Sequence, residues 1–232
     1  MKGFRSLLAF LLLLLATAAL GAEHITLQKA QGDVAVRAGV TETWSPARAG
    51  DILKPDATLR TGKNGSAIIL LAASNRKVTL PPEVMVDISD IRELTQEELM
   101  LKLTMEKVRA SSYEWKNKEM NLPNTTVAHG EAKERKESLV EPSPEAGVLQ
   151  LNGSRALYDN GFYSTCALKT LDVLRRYPSL GTFENRLLVA QALEKAHLKS
   201  EALNEYVALS MAPDLTAEHR EFVRARIAQL KK

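Results

Sequence analysis

Hydrophobic and polar residues alternate in short runs between residues 25 and 91, which is the pattern of β-strands that bury one face. Turn-forming pairs such as Asn64-Gly65 and Ser74-Asn75 separate the runs. Asn64-Gly65 predicts a tight hairpin, and the unbroken apolar run 67–71 predicts a strand buried on both faces. The predicted strands lie at 25–29, 34–36, 57–61, 67–71, 78–80 and 84–88. Short strands at regular intervals indicate an all-β sandwich or roll over residues 24–92.

The segment 93–146 carries two conflicting patterns. Leu99, Leu101, Leu103 and Met105 occupy alternate positions, which is typical of a strand. A capping-box spacing precedes them at 95 and 98, and helix-forming residues surround them, so a helix over 95–110 is our preferred interpretation. Beyond Ser111 the chain becomes strongly polar, and we interpret the rest, up to residue 146, as a charged linker.

From residue 147 to residue 232 the apolar positions follow a helical period. Five amphipathic helices are predicted; Pro178 ends the second, Pro213 ends the fourth, and Thr216 caps the fifth. The predicted fold is therefore α+β multidomain, with an N-terminal all-β sandwich or roll and a C-terminal α-helical repeat domain at 147–232.

The first 22 residues have the pattern of a secretory signal peptide. Lys2 and Arg5 precede a short apolar core, and small residues follow it up to Ala22. Cleavage there predicts a periplasmic or secreted protein, whereas an uncleaved segment would anchor the chain in the inner membrane. No cysteine lies near the cleavage region, so we do not expect a lipoprotein anchor.

Composition excludes several classes of protein. The 31 basic and 28 acidic residues give a net charge of +3, which is too even for a dedicated nucleic-acid binder. Cys166 is the only cysteine, so no disulfide forms within one chain.

No catalytic or metal-binding pattern emerges, and we expect neither an enzyme nor a cofactor. The four histidines lie far from one another and from Cys166. They are His24, His129, His197 and His219.

The β segment resembles the FecR-like domain, the periplasmic module of bacterial iron-transport regulators that also occurs in other exported proteins. The matching residues appear in the family's order: Gly32, Val34, Val36, Gly39, Trp44, Pro46-Ala47, Gly50-Asp51, Leu53, Leu59-Arg60-Thr61-Gly62, Gly65, Ala67, Leu70, Val78, Leu80 and the strand 84–88. Ser74-Asn75 departs from the Asp-Gly turn of the family, although Asn adopts the same backbone conformation. Only six residues precede the apolar run, so we do not expect the cytoplasmic anti-sigma segment of these regulators.

The helical segment resembles tetratricopeptide-type repeats. Cys166 and Ala202 occupy the small-residue position where paired helices approach closely, and Pro178 and Pro213 close the two units. The 36 residues between Cys166 and Ala202 are close to the expected repeat of about 34. This resemblance implies that Cys166 is a buried packing residue rather than a nucleophile, and that the last helix caps the array.

Two groups of residues are candidate binding sites. If the repeat alignment holds, the first helix of each unit lines a groove that suits a peptide or a partner tail. The residues expected to face it are Arg155, Tyr158, Gln191, Glu194 and Lys195. In the β domain, Trp44 fills the core in our preferred interpretation, or stacks on a sugar ring if it is exposed. Arg60 is a possible anion ligand, although we expect it to pair with Asp51 or cap a turn.

These features predict a non-enzymatic exported protein that binds another envelope protein or peptide segment, with no nucleic-acid partner and no cofactor. Membrane contact is expected only if the N-terminal segment is retained. One alternative is a sensory regulator that receives an outer-membrane signal through its FecR-like domain. Another is a protein that binds the cell wall or a polysaccharide. The sequence does not predict the oligomeric state.

Overall fold

The computed structural model describes residues 24–39, 41, 43–118, 143–213 and 215–232, and it combines an antiparallel β region with a helical region. The predicted signal peptide and the polar segment 119–142 lie outside these ranges. The chain divides into two compact units after Pro82. Within the described ranges, no helix has both the length and the apolar character needed to cross a bilayer.

The first unit contains seven described strands in two antiparallel sheets. The first sheet has the order β4-β1-β6-β7, and in the second β3, β2 and β5 are successive neighbours. Leu27 and Ile69 of the first sheet and Leu59 of the second are fully buried, so both sheets contribute to the core. The strands are β1 (Ile25–Gln31), β2 (Val34–Ala38), β3 (Ser45–Pro46), β4 (Ile52–Leu53), β5 (Ala57–Thr61), β6 (Ser66–Leu71) and β7 (Arg76–Leu80).

The hairpin predicted at Asn64-Gly65 is wrong, because this turn connects the two sheets. Strand β5 pairs with β2, whereas the next strand, β6, pairs with β1 and β7. The turn at Gly32 makes the same change of sheet between β1 and β2. The two turns pack backbone against backbone: a Cβ on Gly32 would collide with the Asn64 carbonyl, and one on Gly65 with the Asp33 carbonyl. Glycine at both turns is therefore a steric requirement.

The strand predicted to be buried on both faces, β6, is fully buried on one face only. Ala67 and Ile69 are buried, whereas the residues between and after them are partly exposed. An antiparallel sheet packs one face on the core and leaves the other accessible, so the apolar run does not imply two covered faces. The hairpin at Ser74-Asn75 is confirmed: β6 pairs with β7, and Asn75 has a positive φ of 50°.

The second unit begins at Glu83 and contains one described strand, two 3₁₀ turns and six described helices. The helix predicted over 95–110 is confirmed, and it continues past Ser111 to Lys118. Thr95 caps it by accepting a hydrogen bond from the Glu98 backbone N–H at 3.2 Å. The elements are β8 (Met85–Asp87), a 3₁₀ turn (Ile88–Asp90), α1 (Gln96–Lys118), α2 (Pro144–Asp159), α3 (Tyr163–Arg176), a 3₁₀ turn (Pro178–Leu180), α4 (Phe183–Lys195), α5 (Lys199–Ser210) and α6 (Ala217–Leu230).

The connections α2–α3 and α4–α5 have the same geometry, 36 residues apart. Gly161 and His197 both adopt a positive φ, of 80° and 62°. The residue after each is buried, and its backbone N–H donates back into the preceding helix, from Phe162 to Leu157 and from Leu198 to Leu193. The small residues predicted at the helix contacts, Cys166 and Ala202, are both fully buried. The two connections therefore share one turn geometry.

We predict that Gly153→Ala destabilises the second unit by about 2 kcal/mol. In an exposed helix this substitution stabilises by roughly 1 kcal/mol. Here the new Cβ would collide with the backbone carbonyl of Met85. Urea unfolding followed by circular dichroism measures the difference. Val148→Ala on the same helix, at a side chain that is 45% exposed, is the control and should change stability little. A more stable Gly153→Ala variant would contradict the packing described.

Candidate functional site

The five residues predicted to bind a partner lie on α2 and α4, and several of them contact the helices themselves. Arg155 is exposed, and its guanidinium donates to Asn152 Oδ1 at 3.0 Å and to Asn185 Oδ1 at 2.5 Å. The second bond joins α2 to the first turn of α4. Arg155 therefore stabilises the helical stack, which reduces its freedom to bind a partner.

Glu194 is also engaged internally. Its carboxylate accepts a hydrogen bond from the Tyr206 hydroxyl at 3.0 Å and pairs with the Arg226 guanidinium. Burial, with the Glu194 hydrogen bond adding to it, raises the pKa of Tyr206 to about 12. The phenol therefore stays protonated and continues to donate to Glu194. This carboxylate links α4, α5 and α6.

The remaining three predicted residues are less constrained. Tyr158 is partly buried and meets Tyr163 edge-on, with ring centroids 5.1 Å apart. Burial raises its pKa, and the Glu194 charge contributes. Gln191 is partly buried and Lys195 is exposed. Much of the polar character of this face thus serves the packing of the helices.

Trp44 does not fill the core, contrary to our preferred interpretation of the sequence. Its side chain is partly exposed, and two guanidinium groups lie against its ring, Arg37 Cζ at 5.0 Å and Arg60 Cζ at 4.7 Å from the centroid. The expected pair between Arg60 and Asp51 is not formed among the described residues. The Asp51 carboxylate instead accepts the Arg48 backbone N–H at 2.7 Å.

Cys166 and His219 occupy structural positions. Cys166 is fully buried, and desolvation raises the pKa of its thiol to about 12. His219 stacks on Phe183 with ring centroids 4.0 Å apart. No group of three or more His, Cys, Asp or Glu side chains with metal-binding geometry occurs in the described ranges, and His129 lies outside them.

Helix α1 presents apolar side chains on two opposite faces, and sequence reasoning missed this feature. Leu99 and Leu103 are buried, whereas Leu101 is 63%, Met105 47% and Val108 59% exposed. Because Leu101, Met105 and Val108 are spaced i, i+4 and i+7, they form one stripe, which we call the α1 stripe. The alternate spacing that suggested a strand is thus the signature of a helix with two apolar faces.

A row of charged side chains on α3 holds the other face of α1. Arg175 Nε pairs with Glu106 Oε1 at 2.5 Å, and the Glu106 side chain is almost fully buried. Lys169 Nζ pairs with Asp87 Oδ2 at 2.5 Å and with Asp90 Oδ2 at 3.0 Å. The Thr165 hydroxyl donates to the Arg92 carbonyl at 2.7 Å. Together these contacts attach the segment from Asp87 to Glu106 to the helices.

The electrostatics of this row follow from its partial burial. Burial raises the pKa of Asp90, and the Lys169 charge offsets this only in part. Burial also acts to lower the pKa of Lys169, but the Asp90 and Asp87 carboxylates outweigh it, so the lysine pKa is raised. The ammonium therefore stays charged throughout the physiological range. A cleft of about 330 Å³ beside the row is lined by Asp90, Lys102, Met105, Glu106, Arg109, Thr165, Leu168, Lys169 and Asp172.

Comparison with known proteins gives no match: no protein-family model, no curated protein and no solved structure matches this chain.

We predict that Lys169→Met lowers the stability of the second unit by about 2 kcal/mol at pH 7.5. This is below the cost of breaking a fully buried ion pair, because Asp87 keeps contact with solvent. The loss should be smaller at pH 4. Lys169 is charged at both pH values, so its own titration does not cause this difference. In the variant, Asp87 and Asp90 repel each other without the lysine charge between them. At the lower pH this repulsion is removed when Asp90, whose pKa is already raised, takes up a proton.

Urea unfolding at the two pH values measures this difference, with the exposed Lys195→Met as control. An equal loss at both pH values would contradict the role assigned to the Asp87–Asp90 pair.

We predict that Cys166 does not react with 5,5′-dithiobis(2-nitrobenzoic acid) in the folded protein at pH 8. A pKa of about 12 leaves roughly one thiol in ten thousand ionised, and the side chain has no solvent contact. Reaction should be stoichiometric in urea. In a Cys166→Ala background, Lys195→Cys places an exposed thiol on α4 and should react in the native state. Rapid reaction of native Cys166 would show that it is accessible.

Proposed function

We propose that this chain is an exported bacterial protein, built from FecR-like and tetratricopeptide-type modules, that binds another envelope protein through the α1 stripe. Export is supported by the signal-peptide pattern of residues 1–22. The modules are supported by the ordered motif of the β unit and by the repeated turn geometry of the helical unit. The observation that carries the binding function is the second apolar face of α1.

An apolar face on a helix is stable in water only when it covers little area or has a partner. One face of α1 packs through Leu99 and Leu103, whereas the α1 stripe exposes about half of each of three large side chains. Met100 adds a further side chain that is 39% exposed. Anchors at i, i+4 and i+7 are the contacts through which a helix binds a complementary groove or helix.

Charges beside the stripe define the partner. Lys102 and Arg109 are seven residues apart and lie along the same edge of the stripe. The acids beside them are each shared by two cations. Glu98 pairs with Lys102 at 3.4 Å and also with Arg92, and Glu106 pairs with Arg109 at 3.5 Å and also with Arg175, so the edge keeps an excess of positive charge. An antiparallel second copy of α1 would set this basic edge against itself. A partner helix or groove with an acidic edge gives charge complementarity, so it is the occupant that we propose.

The polar face of α2 and α4 is a weaker candidate for the main contact. Arg155 and Glu194 already bond to other helices, and only Lys195 among its predicted residues is exposed without a contact described above. Binding there would require these internal bonds to be exchanged, whereas the α1 stripe needs only the release of water from apolar surface.

The test begins with a photo-crosslinking amino acid at position 101 of the full chain, with position 211 as the reference site. Met211 is 75% exposed and lies outside α1. The protein that crosslinks at 101 and not at 211 is then identified, purified and titrated against the full chain. We expect the double variant Leu101→Ser/Val108→Ser to bind it at least tenfold more weakly, because two apolar anchors are lost.

The folding of the double variant should be unchanged within about 0.5 kcal/mol, because both side chains are exposed. Met211→Ser should bind as tightly as the unaltered chain. Two results would overturn the proposal: crosslinking at 101 only to further copies of the same chain, or equal binding by the double variant.

A further inference from the structure

Trp44 holds two arginine side chains together on one face of the β unit. In the antiparallel register, Ala35 lies opposite Arg60 and Arg37 lies opposite Thr58. Because Ala35 and Arg37 are two residues apart on β2, Arg37 and Arg60 project from the same face of the sheet. The ring of Trp44 lies about equally far from both guanidiniums, at 5.0 Å and 4.7 Å. Cation–π attraction to one ring keeps the two positive charges close.

Stacking leaves most N–H groups of these arginines available. A guanidinium that stacks on a ring uses its flat face, whereas its five N–H donors point outward in the plane. Arg37 makes one long contact, from Nη2 to Thr58 Oγ1 at 3.5 Å, and its Nε is buried with no acceptor. The Arg60 guanidinium forms no hydrogen bond or ion pair with the described residues. Neither guanidinium has a carboxylate partner among those residues, so no described acid neutralises these two adjacent cations.

We propose that Arg37, Arg60 and Trp44 form a binding site for the carboxylate of an acidic sugar in a polysaccharide. A planar carboxylate fits the N–H fork of a guanidinium with two parallel hydrogen bonds, and a second guanidinium beside it strengthens the charge interaction. The part of the Trp44 ring that remains exposed offers apolar contact to the C–H groups of a pyranose. This site lies in the β unit and is independent of the α1 stripe.

The neighbouring edge favours a saccharide over a peptide that adds as a strand. The edge strand here is β3, which has only two residues. Pro46 is one of them and has no backbone N–H to donate. A peptide would therefore find no ladder of backbone hydrogen bonds at this edge. A sugar needs none, because the arginine side chains supply its donors.

The experiment uses the full chain with Trp115→Phe, so that Trp44 is the only tryptophan. Oligogalacturonate is titrated while Trp44 fluorescence is followed, and the methyl-esterified oligomer, which keeps the sugar rings but loses the charge, is the matched ligand. We expect a saturable fluorescence change with the acid form and at least tenfold weaker binding of the ester.

Arg37→Gln and Arg60→Gln should each weaken binding of the acid form at least tenfold, with the fold verified by circular dichroism. Arg48→Gln removes an exposed cation elsewhere in the same unit and should bind like the parent chain. If the arginine variants do not fold, the comparison of acid and ester on the parent chain still decides the question. Equal binding of acid and ester, no binding of either, or equal binding of poly-glutamate would overturn the proposal.

Discussion

The second unit depends on the charged row of α3, because this row fixes the orientation of a segment that is otherwise held by non-directional apolar packing, with Ile88, Leu99 and Leu103 buried. Lys169 and Arg175 reach Asp87, Asp90 and Glu106, and through them they position β8, the 3₁₀ turn and α1. A helix with two apolar faces has no unique orientation from hydrophobicity alone. Ion pairs have fixed partners, so they determine which face of α1 is buried and which face meets solvent.

The sequence predicts most elements of the fold but only part of the strand pairing. Thr95, Thr216, Pro178 and Asn75 act locally, and their caps, ends and turns form where the sequence indicates. The turn at Asn64-Gly65 also forms, yet its two strands pair elsewhere. Strand pairing is a long-range property, and an Asn-Gly turn specifies the backbone angles without specifying the neighbour. The run 67–71 shows the same limit, because an apolar residue does not reveal whether a second layer covers it.

Sequence reasoning predicts which helix carries a candidate residue, but it does not predict the tertiary contacts of that residue. The resemblance places Arg155, Tyr158, Gln191, Glu194 and Lys195 on two helices, and they lie there. Their bonds to Asn185, Tyr206 and Arg226 depend on tertiary packing and have no sequence signal. The α1 stripe did have a sequence signal, because Leu101, Met105 and Val108 fit a helical period once α1 is accepted as a helix. The arginine pair on Trp44 could be recognised only from the register of β2 and β5, which places both arginines on one face of the sheet.

The chain changes sheet at Gly32 and Gly65 in the β unit, and this unit therefore folds by a different route from the helical unit. In the β unit, Ile25 pairs with Leu71 rather than with the strand that follows it, so the first sheet forms only after most of that unit is available. In the helical unit α1 packs on α3, but α2, α3, α4 and α5 each pack on the helix that follows in the chain, and contacts between successive helices form quickly. If the chain crosses a membrane from its N-terminus, the β unit emerges first and still waits for β6. In that case, unpaired strand edges are exposed during the interval on the far side of the membrane.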